Sequence, residues 1–257
     1  MASGLRFKDK VAIITGGCSG IGEGCVEVFA ENGGTVVVFD INDEVGNSLS
    51  IPGPGKIVYI HCDVTDEQQI KKSIESTVAK FGGIDCLVND VGHDHGTHTI
   101  DELTVESFRQ ILDVNVVSMF AMSKYALPHL RKSRGSIVNI SSLGGTNAQA
   151  KKSTYCSSKG AVISLSKALA IDEAKNGVRV NTVCPGPINT PLMRAWLEND
   201  DETRKQVESW TQLGRFGEPR EIGLACLFLA TEATFTTGTE LMCTGGCEIG
   251  YGIKADF

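Results

Sequence analysis

Residues 11–34 read "VAIITGGCSGIGEGCVEVFAENGG", and this stretch decides how the rest of the chain is understood. A short β-branched run comes first. Three spaced glycines follow, Gly16, Gly20 and Gly22, and then a segment of helix length. Glycines in a strand-to-helix turn let the backbone bend sharply and approach a pyrophosphate. The helix N-terminus then offers free amides and the positive end of its dipole. The spacing is Gly-x-x-x-Gly-x-Gly, not the commoner Gly-x-Gly-x-x-Gly, so context must carry the reading. The next apolar run, "TVVVFD" (35–40), supplies it by ending in Asp40. A carboxylate there can accept from both hydroxyls of an adenosine ribose and would repel a 2′-phosphate. No Arg or Lys lies in the glycine turn or beside Asp40, so the pattern predicts NAD as cofactor in preference to NADP. Asp63, after the third apolar run, is expected either to accept from the adenine amine or to cap the segment behind it.

The same alternation continues along the chain. Strands are predicted at 10–15, 35–40, 56–61, 84–89, 135–141, 178–184 and 239–243, with helices near 20–32, 66–81, 104–132, 154–176 and 218–230. Near-continuous apolar strands suit a sheet buried on both faces. The βαβα order implies a doubly wound parallel sheet of about seven strands with helices on both sides, an α/β fold. There is no repeat, linker or low-complexity tract, so residues 1–257 are expected to form one domain. The least periodic segment, 186–216, holds Trp196 and Trp210 and is expected to be a lid over a substrate, or a solvated helical excursion.

The bulk properties exclude several classes. A net charge of −7 argues against nucleic acid and anionic membranes as partners. No apolar run approaches the ~18 residues of a membrane span. Nine scattered cysteines without a Cys-x-x-Cys pair fit reduced thiols and a cytoplasmic location better than a disulfide framework or a zinc ribbon. The stretch "LVNDVGHDHGTHTI" (87–100) gathers His93, His95 and His98 beside Asp90 and Asp94. It could coordinate a metal or form the rim of a site. Without further clustered ligands the rim is preferred and no metal is expected.

Tyr155 and Lys159 stand four residues apart at the start of a helix, on one face. A tyrosine at its ordinary pKa of about 10 is a poor base. A fixed ammonium stabilises its phenolate, which could then take a proton from an alcohol as hydride leaves the carbon. Ser142, just past a strand, could hold the same substrate oxygen. A Tyr-x-x-x-Lys pair alone would also suit a surface contact.

In order and spacing, "TGGCSGIG" (15–22), "NDVG" (89–92), Asn115 within "DVNVVSMF" (113–120), "NISS" (139–142), "YCSSK" (155–159) and "PGPINTPL" (185–192) resemble the short-chain dehydrogenase/reductase family. The resemblance runs from about Lys10 to Gly246 and implies a Rossmann-like single domain. It also implies a catalytic tetrad. Tyr155 would be the acid/base, Ser142 would orient substrate, Lys159 would hold the nicotinamide ribose and tune Tyr155, and Asn115 would anchor a relay water. Around the cofactor it implies Gly16, Ser19, Gly20, Ile21 and Gly22 at the pyrophosphate, with Asp40, Asp63 and Val64 at the adenosine. Asn89 and Gly92 would form a shelf. Pro185, Gly186, Ile188, Thr190 and Leu192 would lie along the nicotinamide side.

Within the family, "GHDH" (92–95), "SKALAIDE" (166–173) and "TGGCEIGYGIKADF" (244–257) are similar to the 17β-hydroxysteroid dehydrogenase type 14 group. That resemblance implies oxidation of a secondary alcohol, a 17β-hydroxysteroid or a sugar such as L-fucose. It gives pocket roles to His93, Gln149 and Tyr251, and implies a homotetramer; Trp196, in the 186–216 segment, is a further candidate for binding substrate. The chain departs from the family at Asp90 and Val91, where Asn and Ala are usual. An ionised Asp90 cannot donate a hydrogen bond. This departure leaves a second reading, a non-catalytic NAD-binding regulator on the same fold.

Overall fold

The computed structural model describes residues 4–197 and 201–249. Seven strands form one wholly parallel sheet: β1 (Val11–Thr15), β2 (Thr35–Asp40), β3 (Lys56–His61), β4 (Cys86–Asn89), β5 (Ser136–Ile140), β6 (Arg179–Pro185) and β7 (Glu240–Cys243). Their order in space is β3-β2-β1-β4-β5-β6-β7. The chain thus builds outward from β1 in one direction and then from β4 in the other. The carboxyl ends of β1 and β4 flank the point where the order reverses, which is where open α/β sheets bind ligands.

Among the described residues ten α-helices connect the strands: α1 (Gly20–Glu31), α2 (Asp43–Ser48), α3 (Glu67–Phe81), α4 (Val105–Leu112), α5 (Ser118–Ser133), α6 (Leu143–Thr146), α7 (Ser153–Ala174), α8 (Pro191–Trp196), α9 (Asp201–Trp210) and α10 (Pro219–Thr231). The two-residue period of the strands divides the core between the sheet's faces. Ala12, Ile14, Val36, Val38 and Val88 pack with Cys25, Val28 and Phe29 of α1 and Cys226, Leu227 and Leu229 of α10. Ile13, Val37, Phe39 and Leu87 pack against Ile70 and Ile74 of α3 and Met122, Ala126 and Leu130 of α5. Helix ends follow local chemistry. Asp66 accepts from the Gln68 and Gln69 amides to start α3, and Gly82 ends it in the left-handed region at φ 86°.

Two departures from the expected pattern matter. The single helix expected over 104–132 is interrupted by a π-helical turn, Asp113–Val117, which contains Asn115. The short helices α2 and α6 were not expected, being too short to show a period in the sequence. The segment 186–216, expected as a lid or a helical excursion, carries the two helices α8 and α9 and is pinned at its base by pairing of Ile188 with Gly217. No helix among the described residues is long and apolar enough to cross a membrane.

Candidate active site

The glycine turn closes β1 onto α1. Gly16 and Gly20 take φ of +71° and +56°, values that side chains disfavour. A Cβ on Gly22 would stand 2.2 Å from the Gly16 carbonyl oxygen, so only glycine fits there. Ser19 precedes α1 in extended conformation, and its side chain makes no cap hydrogen bond. Asp40 is held from both sides: Oδ2 accepts from the Cys18 amide and Oδ1 from the Asn42 amide, each at 3.0 Å. This fixes a carboxylate beyond an open helix N-terminus, the donor set that a dinucleotide requires. Asp63 spends Oδ1 on the amide and hydroxyl of Thr65, at 2.9 and 2.7 Å. Of its two expected roles, capping is the one the geometry displays. Val64 is buried in the core beside it. Asn89 donates to Asn139 at 2.8 Å, while its own Oδ1 is buried without a partner among the described residues, an acceptor left at the end of β4.

Ser142 caps α6, and its hydroxyl accepts from the Gly144 amide at 3.0 Å while standing within hydrogen-bonding reach of Tyr155. Lys159 is buried; its Nζ donates to the Ile140 carbonyl at 3.0 Å and lies 5.9 Å from the Tyr155 ring centre. Gly92 leaves room for that ammonium, since a Cβ there would stand 3.0 Å from Nζ. Burial pushes the Tyr155 phenol up to about 12. The Ser142 hydrogen bond pulls it down, and the charges of Asp94 and Asp90 add to the rise. In this setting Tyr155 is a proton donor at neutral pH, and making it a base requires added positive charge. Asn115 is fully buried in the π turn. Its side chain accepts from the His93 amide at 2.7 Å and donates to the His93 carbonyl and to Ser158, both at 2.9 Å. The amide group of Asn115 therefore braces the loop after β4.

Asp90 connects the two halves of the site. A Cβ on Gly22 would come within 2.9 Å of its Oδ2, and the Gly22 amide donates to its carboxylate. Burial pushes Asp90 well above the usual carboxylate range, against the pull of Lys159. Burial also pushes Lys159 below the usual range for an ammonium, against the pull of Asp90. Val91 lies against the same turn, for a Cβ on Gly16 would stand 3.2 Å from its Cγ2.

The histidines serve the loop. His95 Nε2 pairs with the Ser107 carbonyl and His98 Nε2 with the His95 carbonyl, both at 2.9 Å, and His93 meets His95 edge to face at 4.8 Å. Among the described residues no three His, Cys, Asp or Glu side chains come together as a metal site. His93 and Gln149 are exposed. Pro185 ends β6 and Gly186 donates to the Cys243 carbonyl at 3.0 Å. Beyond them Ile188 is buried, Thr190 caps α8, and Leu192 and Trp196 are exposed on that helix. Tyr251 lies outside the described residues. Sequence reasoning missed Thr15, whose hydroxyl accepts from the Asp90 amide at 3.0 Å, and the partnership of Asp94 with Lys152. Neither had a signal in local spacing, because the partners are 75 and 58 residues apart.

A parallel sheet with a phosphate cradle at its switch point and a Ser–Tyr–Lys group beside it defines a Rossmann-fold oxidoreductase. The chain belongs to the short-chain dehydrogenase/reductase family: a family model described as enoyl-(acyl carrier protein) reductase matches residues 16–248. L-fucose dehydrogenase of Bos taurus is 44% identical over 258 aligned positions, covering 99% of this chain and 95% of that protein. A 2,5-dichloro-2,5-cyclohexadiene-1,4-diol dehydrogenase of Sphingobium indicum is 36% identical, covering 92% and 96%. Among solved structures, ligand-free aldohexose dehydrogenase of Thermoplasma acidophilum matches with a TM-score of 0.87 at 36% identity, covering 97% and 98%. A nicotinamide cofactor goes with this family and fold, and the cradle and Asp40 fit one.

Proposed function

We propose that the protein is an NAD-dependent dehydrogenase that oxidises a secondary alcohol, taking a sugar such as L-fucose to its lactone. The observation that carries this reading is the convergence of Ser142, Tyr155 and Lys159 at the carboxyl edge of the sheet, with Asn115 bracing the loop beside them. A bound oxidised nicotinamide supplies a hydride acceptor and positive charge. Ser142 holds the substrate hydroxyl against Tyr155. Tyr155 takes the hydroxyl proton as the C–H bond breaks, and Lys159 stabilises the phenolate by its charge. The backbone-fixed Asp40 supports NAD over NADP, since a 2′-phosphate would meet a carboxylate that cannot turn away. The names of the relatives support a sugar, and so does the polar loop at the mouth. A 17β-hydroxysteroid, the other substrate of the type 14 group, would lay an apolar face across these groups.

A homotetramer belongs to the same proposal. Exposed Val117 and Phe120 on the π turn and α5, and Leu224 and Phe228 on α10, are apolar faces suited to other copies of the chain. The scattered spacing of the cysteines, with no Cys-x-x-Cys pair, supports a cytoplasmic location. Measuring NADH formation on aldoses, simple secondary alcohols and 17β-estradiol tests the substrate. Turnover of aldoses is expected. Binding of NAD without turnover of any alcohol would instead favour the regulator that Asp90 and Val91 suggest.

A further inference from the structure

One ion pair beside the reacting hydroxyl has no part in moving the proton. Lys152 Nζ donates to Asp94 Oδ2 at 2.5 Å, with the lysine side chain 9% and the aspartate side chain 20% exposed. Asp94 Oδ1 accepts from the Gly96 amide at 3.1 Å. Lys152 immediately precedes α7, three residues before Tyr155, and the charge of Asp94 is felt at the Tyr155 phenol. The frame around the pair is tied together by hydrogen bonds. The His98 amide donates to the Lys151 carbonyl at 2.9 Å, Asn115 clamps the backbone of His93, and His95 is tied to Ser107. The pair therefore links the loop after β4 to the start of the catalytic helix.

Such a pair is costly to bury, since both ions lose water that their mutual attraction must offset. It also has spare capacity. An ammonium has three N–H donors and a carboxylate about four acceptor sites. Among the described residues Lys152 uses one donor and Asp94 two acceptor sites. An apolar substrate laid over the pair would strip its remaining water and return nothing. A hydroxylated substrate would replace that water with charge-assisted hydrogen bonds.

We propose that Asp94 and Lys152 form a specificity element that holds hydroxyl groups of a polyhydroxylated substrate remote from the carbinol being oxidised. Asp94 accepts from one hydroxyl and Lys152 donates to a neighbouring one. The inference rests on alcohol oxidation at Tyr155 and narrows its substrate class to aldoses and related polyols. Lys152 has a second effect: it offsets the charge of Asp94, which would otherwise hold the Tyr155 phenol higher.

The test uses the full chain with NAD, a panel of aldoses including L-fucose and D-glucose, and cyclohexanol as an alcohol with no second hydroxyl. Wild type is compared with Asp94→Asn, Lys152→Met and the double variant, and NAD titration reports whether each variant is folded. Wild type should prefer the best aldose. In each single variant the aldose-to-cyclohexanol ratio of kcat/KM should fall at least about tenfold, mainly through the KM of the aldose; tenfold corresponds to about 1.4 kcal/mol. Titrating the aldose into NADH-loaded protein and following NADH fluorescence should show the same weakening without turnover. The pH profile of kcat should move to lower pH in Asp94→Asn and to higher pH in Lys152→Met. A wild type that prefers aldoses, with variants that keep its ratio or lose both activities equally, overturns the specificity element and leaves the proposed function standing. A wild type that oxidises cyclohexanol but no aldose overturns the polyol class itself, and one that oxidises neither overturns the dehydrogenase reading.

Discussion

The turn after β1 and the loop after β4 leave the same edge of the sheet side by side, yet they are built in opposite ways. The first is backbone. Its glycines clear a space, its helix offers amides, and its nearest specific side chain, Asp40, is held by two amides within 22 residues. The second is a set of distant side-chain bonds. Asn115 holds His93 from a π turn, and Asp94 and Gly96 are organised through a lysine 58 residues away. A cofactor shared by many reactions can be held by local geometry. A substrate particular to one protein is met by contacts that only the folded chain assembles.

Breaking the local half should give the largest loss. Gly22→Ala forces a methyl group to within 2.2 Å of the Gly16 carbonyl, where backbone must yield. Overpacking of this kind costs roughly 1–3 kcal/mol, so NAD affinity should fall roughly 10- to 100-fold by direct titration. Unchanged affinity would remove the cradle from the account. Breaking the long-range half comes next. Asn115→Ala leaves the His93 amide and carbonyl and the Ser158 hydroxyl short of partners. Chemical denaturation should show about 2 kcal/mol of lost stability, and NAD affinity should change much less.

Asp90, which touches both halves, sharpens the contrast. Its negative charge raises the proton affinity of Lys159 and of Tyr155. On the proposed mechanism oxidation needs the Tyr155 phenolate and so gains with rising pH. Asp90→Asn should lower the midpoint of that gain by up to about one pH unit, as expected for removal of one nearby charge. A rise in the midpoint would contradict the placement. Arg6→Ala should matter least. Arg6 holds Glu232 by two hydrogen bonds far from either half and keeps its carboxyl down at about 2. That carboxyl is depressed, so the stability it adds is present above its ordinary pKa and is lost as pH falls through about 2. Both groups are partly exposed, and at neutral pH thermal unfolding should show a loss under about 1 kcal/mol.

The same contrast explains what could be read from the sequence. The strands were visible as apolar runs bounded by turns; burial on both faces leaves an unbroken signal in the five central ones, while the edge strands β3 and β7 are only half-buried. The glycine spacing and Asp40 were visible because their function is local. The break at Asp113–Val117 was not, since apolar residues continue across the π turn and nothing in its composition marks the extra residue. Within 186–216 a helical excursion is one of two readings, but the bounds of its helices were not legible because α9 is mostly polar and buries Val207 alone among its residues. The histidine cluster reads as a rim because no further ligands cluster with it, but its ring partners, the Ser107 carbonyl for His95 and the His95 carbonyl for His98, had no signal in the sequence. Asp63 was ambiguous for a physical reason: a carboxylate two residues before a hydroxyl can cap it whether or not a ligand is near.

The most direct test of the central claim is NADH formation from L-fucose by wild type and by Tyr155→Phe, with NAD binding measured on both. The account predicts turnover by wild type, and a loss of about 100-fold or more in Tyr155→Phe with NAD still bound, the scale set by removal of a general acid–base. Turnover that survives undiminished in Tyr155→Phe would contradict it.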